Sequence, residues 1–178
     1  MSALSSRLEM IADVGFKVFS IVAICFGGLR YFQEREEIAQ TDALSRSLSY
    51  IEEYGSERYV DARLDLHDFW VGHPQLVELL SNGGISERVY RAALSQDVFR
   101  SGADRHIREP LILLDNLYSQ IAFCYRTDLC EAKILTEFFC PIARTEAVAY
   151  APFFERMASD TGDRDLGRDL SEFGSSCS

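Results

Sequence analysis

The sequence predicts an all-α protein in which a single N-terminal transmembrane helix is followed by a small multi-helix bundle. A mostly apolar run covers residues 12–32, and the segments after it place their apolar residues at helical spacing. No segment alternates apolar and polar residues for long enough to indicate a strand. The chain has 178 residues, so the part that follows the run has the size of one domain.

The chain divides into five predicted parts. They are an N-terminal lead (1–11), the transmembrane helix (12–32), a membrane-proximal helix (33–55), a helical domain (56–158) and a flexible acidic tail (159–178). The tail is predicted to be flexible because Asp, Gly and Ser dominate it and leave little apolar surface to bury.

The run at residues 12–32 has the length that a membrane-spanning helix needs, about 20 residues. Its charge-free core is Val18–Leu29. Lys17, Arg30 and Tyr31 lie at its ends, where cationic and aromatic side chains anchor a helix among lipid headgroups. Two alternatives stay open for so short a core. One is a buried amphipathic helix of a soluble oligomer, and the other is a cleaved signal peptide, which the poor cleavage site disfavours.

Small residues on the span indicate that it packs against a second helix in the membrane. Gly15, Ala23 and Gly27 recur at helical spacing, with Gly28 adjacent, and small residues let two helices approach closely. The expected partners are the lipid bilayer and another transmembrane helix, from a second copy or from a larger membrane complex. Nucleic acid is not an expected partner, because the net charge is −10 and the pI is about 4.8.

Charges next to the span predict its orientation. Arg30, Arg35 and Arg46 follow it, whereas Arg7 and the snorkelling Lys17 lie on its N-terminal side, and cytoplasmic flanks carry the excess of Lys and Arg. We therefore predict a single-pass protein of the cell inner membrane with its C-terminal domain in the cytoplasm. The odd number of cysteines, five, agrees with free thiols in a reducing compartment.

The cysteines allow two other interpretations, a disulfide and a zinc site. Cys124 and Cys130 flank a predicted turn between helices, so they would be able to form a disulfide if the domain lay outside the cytoplasm. A zinc site built from Cys124, Cys130 and Cys140 is disfavoured, because the spacing contains no C-x₂-C pair and no His lies nearby. Cys124 and Cys140 lie among apolar residues and are predicted to be packing thiols.

Caps, breaks and apolar periodicity delimit the helices of the domain. Gly55 ends the membrane-proximal helix, and Ser56 begins the next one. Pro110 suits the first turn of the strongest amphipathic helix, Leu111–Arg126. The other predicted helices are 57–70, a short one ending at Leu80, 87–99, and one that starts after Asp128 and is kinked or restarted at Pro141 and Pro152.

Several segments of the domain resemble a family of uncharacterised bacterial proteins. The resemblance rests on Leu113–Ala122, the turn Arg126–Leu129, the pair Phe138–Phe139, and Ala151–Met157. It covers roughly residues 111–157 together with the overall layout. Members of that family are single-span membrane proteins with a helical domain, so the resemblance implies this architecture and no known reaction.

Two polar clusters are the candidates for chemistry. The first is Asp65, His67, Asp68 and His73, and the second is Asp104–Arg105–His106 with Glu109. An acid–base or metal site needs a His that converges with a carboxylate. On a helix, however, His67 points away from the face that Asp65 and Asp68 share, so this cluster is predicted to be a solvated face. The second cluster is predicted to be a charged loop.

The sequence contains none of the common catalytic or nucleotide-binding motifs, since it has no P-loop, G-x-G-x-x-G, H-E-x-x-H or G-x-S-x-G pattern. We therefore predict no catalytic, cofactor-binding or metal-binding residue, and no cofactor. The expected function is that of a non-catalytic, membrane-anchored helical protein, an accessory, scaffold or regulatory subunit of a larger membrane assembly. The alternative is a membrane-tethered enzyme or effector. An exposed apolar face beyond the span would favour the first, and convergence of His67, His73 and His106 in a pocket the second.

Overall fold

The computed structural model describes residues 30, 34–35, 37–81 and 87–177. Nearly all of the predicted transmembrane segment, residues 12–32, lies outside this set. None of the described helices combines the length and the apolar character that a membrane crossing requires. The chain divides into two compact units, Met1–Asp42 and Ala43–Ser178, and the helical bundle lies in the second.

The described part of the chain is built from helices and contains no strand, which confirms the predicted all-α class and the helical bundle. Residues 37–54 are helical and form α1. The later helices are α2 (Glu57–Gly72), α3 (Pro74–Ser81), α4 (Glu87–Leu94), α5 (Arg108–Arg126), α6 (Ala132–Thr161) and α7 (Arg168–Ser176). A π-helical turn (Ser95–Phe99) extends α4, and a 3₁₀ turn (Ala103–Ile107) precedes α5.

α5 is the central helix of the bundle, and it packs against α2, α6 and α7. Its predicted apolar side, which includes Leu117, Tyr118 and Ile121, is buried, as the helical spacing requires. Asp115 lies on the predicted polar side and is nevertheless buried. The reason is that the segment entering α7 covers it, and its Oδ1 accepts the backbone N–H of Gly167 at 3.0 Å.

α6 runs without interruption through both of its prolines, although the sequence predicted a kink or restart at Pro141 and Pro152. A proline inside a helix removes one backbone hydrogen bond and crowds the preceding turn. Here buried aromatic residues, among them Phe139 and Phe153, hold the helix to the core on either side of the prolines. Most helical stability in proteins comes from such packing, which outweighs the local cost.

The segment from residue 159 onward differs from the predicted flexible tail. α6 continues to Thr161, and α7 follows, with Leu170 and Phe173 buried against the rest of the bundle. Gly174 lets α7 approach α6 closely, because a Cβ atom at this position would lie 3.1 Å from the carbonyl oxygen of Ala143. Two buried apolar side chains and one close backbone contact therefore help to dock an otherwise polar segment.

Two disulfides replace the predicted free thiols. Cys124 near the end of α5 is bonded to Cys130 ahead of α6, and Cys140 in α6 is bonded to Cys177 at the end of α7. In both pairs the Cα atoms are 5.5 Å apart. The odd cysteine count concealed this pairing, since Cys25 belongs to the predicted span and lies outside the described residues.

Candidate functional site

The residues predicted to pack or anchor the transmembrane helix lie almost entirely outside the described part of the chain. They are Gly15, Lys17, Ala23, Gly27, Gly28 and Tyr31. Arg30 is described; its side chain is exposed and its Nε lies 3.5 Å from Oε1 of Glu34. The roles of these residues therefore stay predictions.

The histidine candidates converge only in part. His73 and His106 line one cleft of about 460 Å³ together with Asp65 and Asp68, whereas His67 is exposed and does not line it. His73 stacks on the ring of Phe69, with 4.4 Å between the ring centroids, and its Nδ1 lies 2.8 Å from the Phe69 carbonyl oxygen. Within the described residues, no three His, Cys, Asp or Glu side chains are grouped as metal ligands would be.

One member of the second polar cluster, Asp104, is engaged in an ion pair. Asp104 is buried, and its Oδ2 accepts hydrogen bonds from Nε and Nη2 of Arg108 at 3.0 and 2.7 Å. The same guanidinium also reaches Oδ2 of Asp160 at 2.7 Å. The predicted charged loop therefore fastens the start of α5 to the end of α6, which is a structural task.

A second cleft, which the sequence did not point to, lies between α2, α3 and α6. Its volume is about 360 Å³, and Trp70, Val77, Leu80, Glu146 and Tyr150 are among its lining residues. The Trp70 indole N–H donates a hydrogen bond to the Tyr150 hydroxyl at 2.9 Å, and the two ring centroids are 5.8 Å apart. This bond fixes the two aromatic side chains beside the carboxyl group of Glu146. We call this site the Glu146 cleft.

Glu146 has an unusual electrostatic environment for a carboxyl group. Burial raises the pKa of Glu146 from 4.5 to about 7, and the neighbouring Tyr118 hydroxyl and Arg63 guanidinium lower it by less. Oε2 of Glu146 and the Tyr118 hydroxyl interact with each other, but among the described residues neither has a partner in full hydrogen-bond geometry. Burial likewise raises the pKa of Tyr118, and the nearby Glu146 carboxyl raises it further. Buried polar atoms that lack a well-formed hydrogen bond are rare in folded proteins.

Arg63 does not neutralise Glu146 by direct pairing. Its Nε donates to the carbonyl oxygen of Tyr59 at 3.3 Å, and its guanidinium carbon lies 4.2 Å from the ring centroid of Tyr54. The charge of Arg63 therefore acts on Glu146 only through space, and the carboxyl group keeps its capacity to bind a cation.

The sequence does indicate that Glu146 is unusual, through the spacing of the apolar residues in α6. The buried residues of α6 at this face follow one another at intervals of four and three, namely Phe139, Ala143, Tyr150, Phe153 and Met157. Glu146 occupies the missing place in this series, so a carboxyl group stands where the pattern requires an apolar side chain. A charged residue at a core position is the sequence sign of a functional or strained site.

An apolar pair lies on the outer side of α1. Leu44 and Leu48 are one helical turn apart and are 42 % and 44 % exposed. Ser47 beside them is fully buried, and its Oγ accepts the backbone N–H of Glu131 at 2.8 Å. α1 is therefore docked on the bundle by one side and presents two leucines on another.

No protein-family model, curated protein or solved structure matches this chain.

Proposed function

We propose that this protein is a non-catalytic, membrane-anchored helical protein that serves as an accessory, scaffold or regulatory subunit of a larger membrane assembly. The observation that carries the proposal is the exposed pair Leu44 and Leu48 on α1. In the sequence this pair follows the predicted membrane-spanning helix, residues 12–32, by little more than three helical turns.

Two leucines one turn apart are the pattern by which a helix packs against another helix. Most polar residues of α1 near the pair, such as Ser45 and Ser49, are exposed as well, but they lie on a different side. The partner that fits this surface is a helix of another subunit, or of a second copy, that leaves the membrane beside the predicted span. Gly15, Ala23, Gly27 and Gly28 would extend the same contact inside the bilayer.

We further propose that the helical domain lies on the oxidising side of the membrane. Disulfides form and persist in such compartments and are rare in the cytoplasm, and four of the five cysteines are paired. The opposite prediction rests on a small excess of arginines, Arg30, Arg35 and Arg46 against Arg7. Two disulfides weigh more than this excess, because each would be reduced in the cytoplasm.

Site-specific photocrosslinking in native membranes tests the proposed subunit contact. A photoreactive phenylalanine analogue replaces Leu44 or Leu48 in the full chain, and Ser49, on the same helix, serves as the matched control. Adducts with one other membrane protein, or with a second copy, are expected at the leucine positions and not at Ser49. Equal adduct formation at all three positions would contradict a defined contact.

A specific observation also favours the alternative, a membrane-tethered enzyme or effector. His73 and His106 line one cleft with Asp65 and Asp68, so two imidazole rings and two carboxyl groups, side chains that enzymes use for acid–base chemistry, face the same space. Complementation of a deletion strain separates the two functions. Loss of complementation by Leu44→Asn with Leu48→Asn supports the subunit role, and loss by His73→Gln with His106→Gln supports the effector role.

A further inference from the structure

The Glu146 cleft has the dimensions of a small-molecule site. Its volume of about 360 Å³ lies within the range of about 300–1,000 Å³ that ligand pockets occupy. Apolar and aromatic side chains line most of it, with Val77 and Leu80 from α3 on one side and Trp70 and Tyr150 on the other. A few polar groups among apolar walls are the usual composition of such sites.

The carboxyl group of Glu146 is recessed in the wall of this cleft. Its Oε2 and the hydroxyl of the fully buried Tyr118 interact with each other, but within the described residues neither atom has a partner in full hydrogen-bond geometry. Burying polar groups with so little pairing is costly. A recessed carboxyl group in an aromatic cleft is therefore a second observation besides the cavity itself.

The chemistry of the walls selects the class of ligand. A carboxylate attracts a cation, and the faces of tryptophan and tyrosine rings attract the same cation through their π electrons. The negative charge of Glu146 and the net charge of −10 disfavour an anion. Val77 and Leu80 offer contact to an apolar group. We propose that the Glu146 cleft binds a small organic ammonium ion, with the ammonium group at Glu146 and Trp70 and an apolar body against Val77 and Leu80.

The charged and titratable groups around Glu146 set the pH dependence of this binding. They are Arg63 from α2, Tyr54 from α1, Tyr118 from α5 and Tyr150 from α6. Because the pKa of Glu146 is about 7, the ammonium ion must displace a proton at pH 6 but meets an ionised carboxylate at pH 8. The affinity is expected to rise about tenfold between these two pH values, since the ionised fraction rises about tenfold.

Trp70 makes the test direct, because it is the single tryptophan of the chain and it lines the cleft. The full-length protein in detergent is titrated with phenylethylammonium chloride, and tryptophan fluorescence is recorded. The neutral analogue 2-phenylethanol is titrated in parallel. We expect a saturable change with the ammonium ion and a dissociation constant at least tenfold larger for the alcohol.

Two variants test whether Glu146 supplies the negative charge that binds the ammonium ion. Glu146→Gln is expected to weaken binding of phenylethylammonium at least tenfold and to leave the response to the alcohol unchanged. Glu137→Gln is the matched control, because Glu137 is exposed on the same helix and lies apart from the cleft. The control is expected to bind both compounds as the unaltered protein does.

The proposal is overturned if phenylethylammonium produces no saturable change in the unaltered protein, or if Glu146→Gln binds it with the same affinity. Circular dichroism checks that the variant is folded. If Glu146→Gln does not fold, the unaltered protein alone decides the matter. An affinity that does not rise between pH 6 and pH 8 would then exclude Glu146 as the group that holds the cation. Both arms are independent of how α1 docks on a partner.

Discussion

Glu146 is the residue whose environment departs furthest from the ordinary one, and this has a consequence for stability. An acid whose pKa is raised on folding binds its proton more tightly in the folded state. Its contribution is therefore fully present below its unfolded pKa of 4.5 and is lost as the pH rises through about 7. From the size of the shift, the loss is about 3 kcal/mol.

The substitution Glu146→Gln is expected to abolish this loss, because glutamine stays neutral at every pH in the range. The measurement is urea unfolding at pH 5 and pH 8, followed by circular dichroism. The difference in the free energy of unfolding between the two pH values should be about 2.5 kcal/mol smaller in Glu146→Gln than in the unaltered protein, because part of the loss has already occurred at pH 5. Equal pH dependence in the two proteins would mean that Glu146 is not buried in its protonated form.

Gly167 is required both by its backbone conformation and by the lack of space for a side chain. Its φ of +77° lies in the left-handed region, and a Cβ atom there would approach the Phe154 ring to 2.6 Å. Gly162 has a similar φ of +80° but open space around it. Both Gly→Ala substitutions introduce the backbone strain, and only Gly167→Ala adds the steric clash.

We therefore expect Gly162→Ala to lower the free energy of unfolding by about 1 kcal/mol and Gly167→Ala by a further 1–3 kcal/mol or so. Denaturant unfolding of the two variants, side by side, measures the difference. A Gly167→Ala variant no less stable than Gly162→Ala would show that Phe154 moves aside without cost.

Among the helices, α7 is held in place mainly by its contacts and bonds with residues of α5 and α6. It buries Leu170 and Phe173, receives the Asp115–Gly167 hydrogen bond and is joined to α6 through Cys140–Cys177. Because this disulfide closes a separation of 37 residues, it restricts the unfolded chain more than Cys124–Cys130, with a separation of 6.

Replacing both cysteines of a pair by serine should show this difference. The chain-entropy estimate is about 4 kcal/mol for the Cys140–Cys177 pair and about 2 kcal/mol for the Cys124–Cys130 pair. Thermal unfolding followed by circular dichroism is the measurement, and the Cys124/Cys130 variant is the matched control. A larger loss from the short bridge would mean that α7 docks on its side-chain contacts alone.

At the scale of the whole molecule, the position of the domain relative to the membrane is open to a direct measurement. A cysteine in place of the exposed Ser175 provides a reporter thiol in the last turn of α7. With the domain on the oxidising side, a small membrane-impermeant maleimide should label this thiol in intact cells. A cytoplasmic protein with an exposed thiol is the control, and it should be labelled only after lysis. Labelling of Ser175→Cys only after lysis would show instead that the domain lies in the cytoplasm.

The fold class and most helix boundaries follow from local signals in the sequence. Ser56 does precede α2, and α5 does end at Arg126. Each of these features depends on residues within one or two turns of the boundary, so a single sequence is sufficient to predict it. The span at residues 12–32 is a prediction of the same kind and stays one.

Features that depend on distant residues were not predictable in the same way. The tail carries only a few apolar residues, and Leu170 becomes part of the core because α5 and α6 offer it a place. Cysteine pairing depends on distances in space, which the odd count does not report. Glu146 was detectable in principle, as the one charged residue in the apolar series of α6, but Tyr118, which lies beside it, and Trp70, which lines the same cleft, come from other helices.

The docking of α7 also sets the order in which the domain is completed during synthesis. Phe173 packs near Tyr118, with 6.2 Å between the ring centroids, yet it is translated after every other helix of the bundle. Until Phe173 and Cys177 have left the ribosome, the nascent chain shows the apolar sides of α5 and α6 to its surroundings, and Cys140 awaits its disulfide partner. We therefore expect the domain to reach its folded state only after α7 has been synthesised, because a chain that lacks α7 leaves apolar surface exposed and such incomplete chains are prone to aggregate.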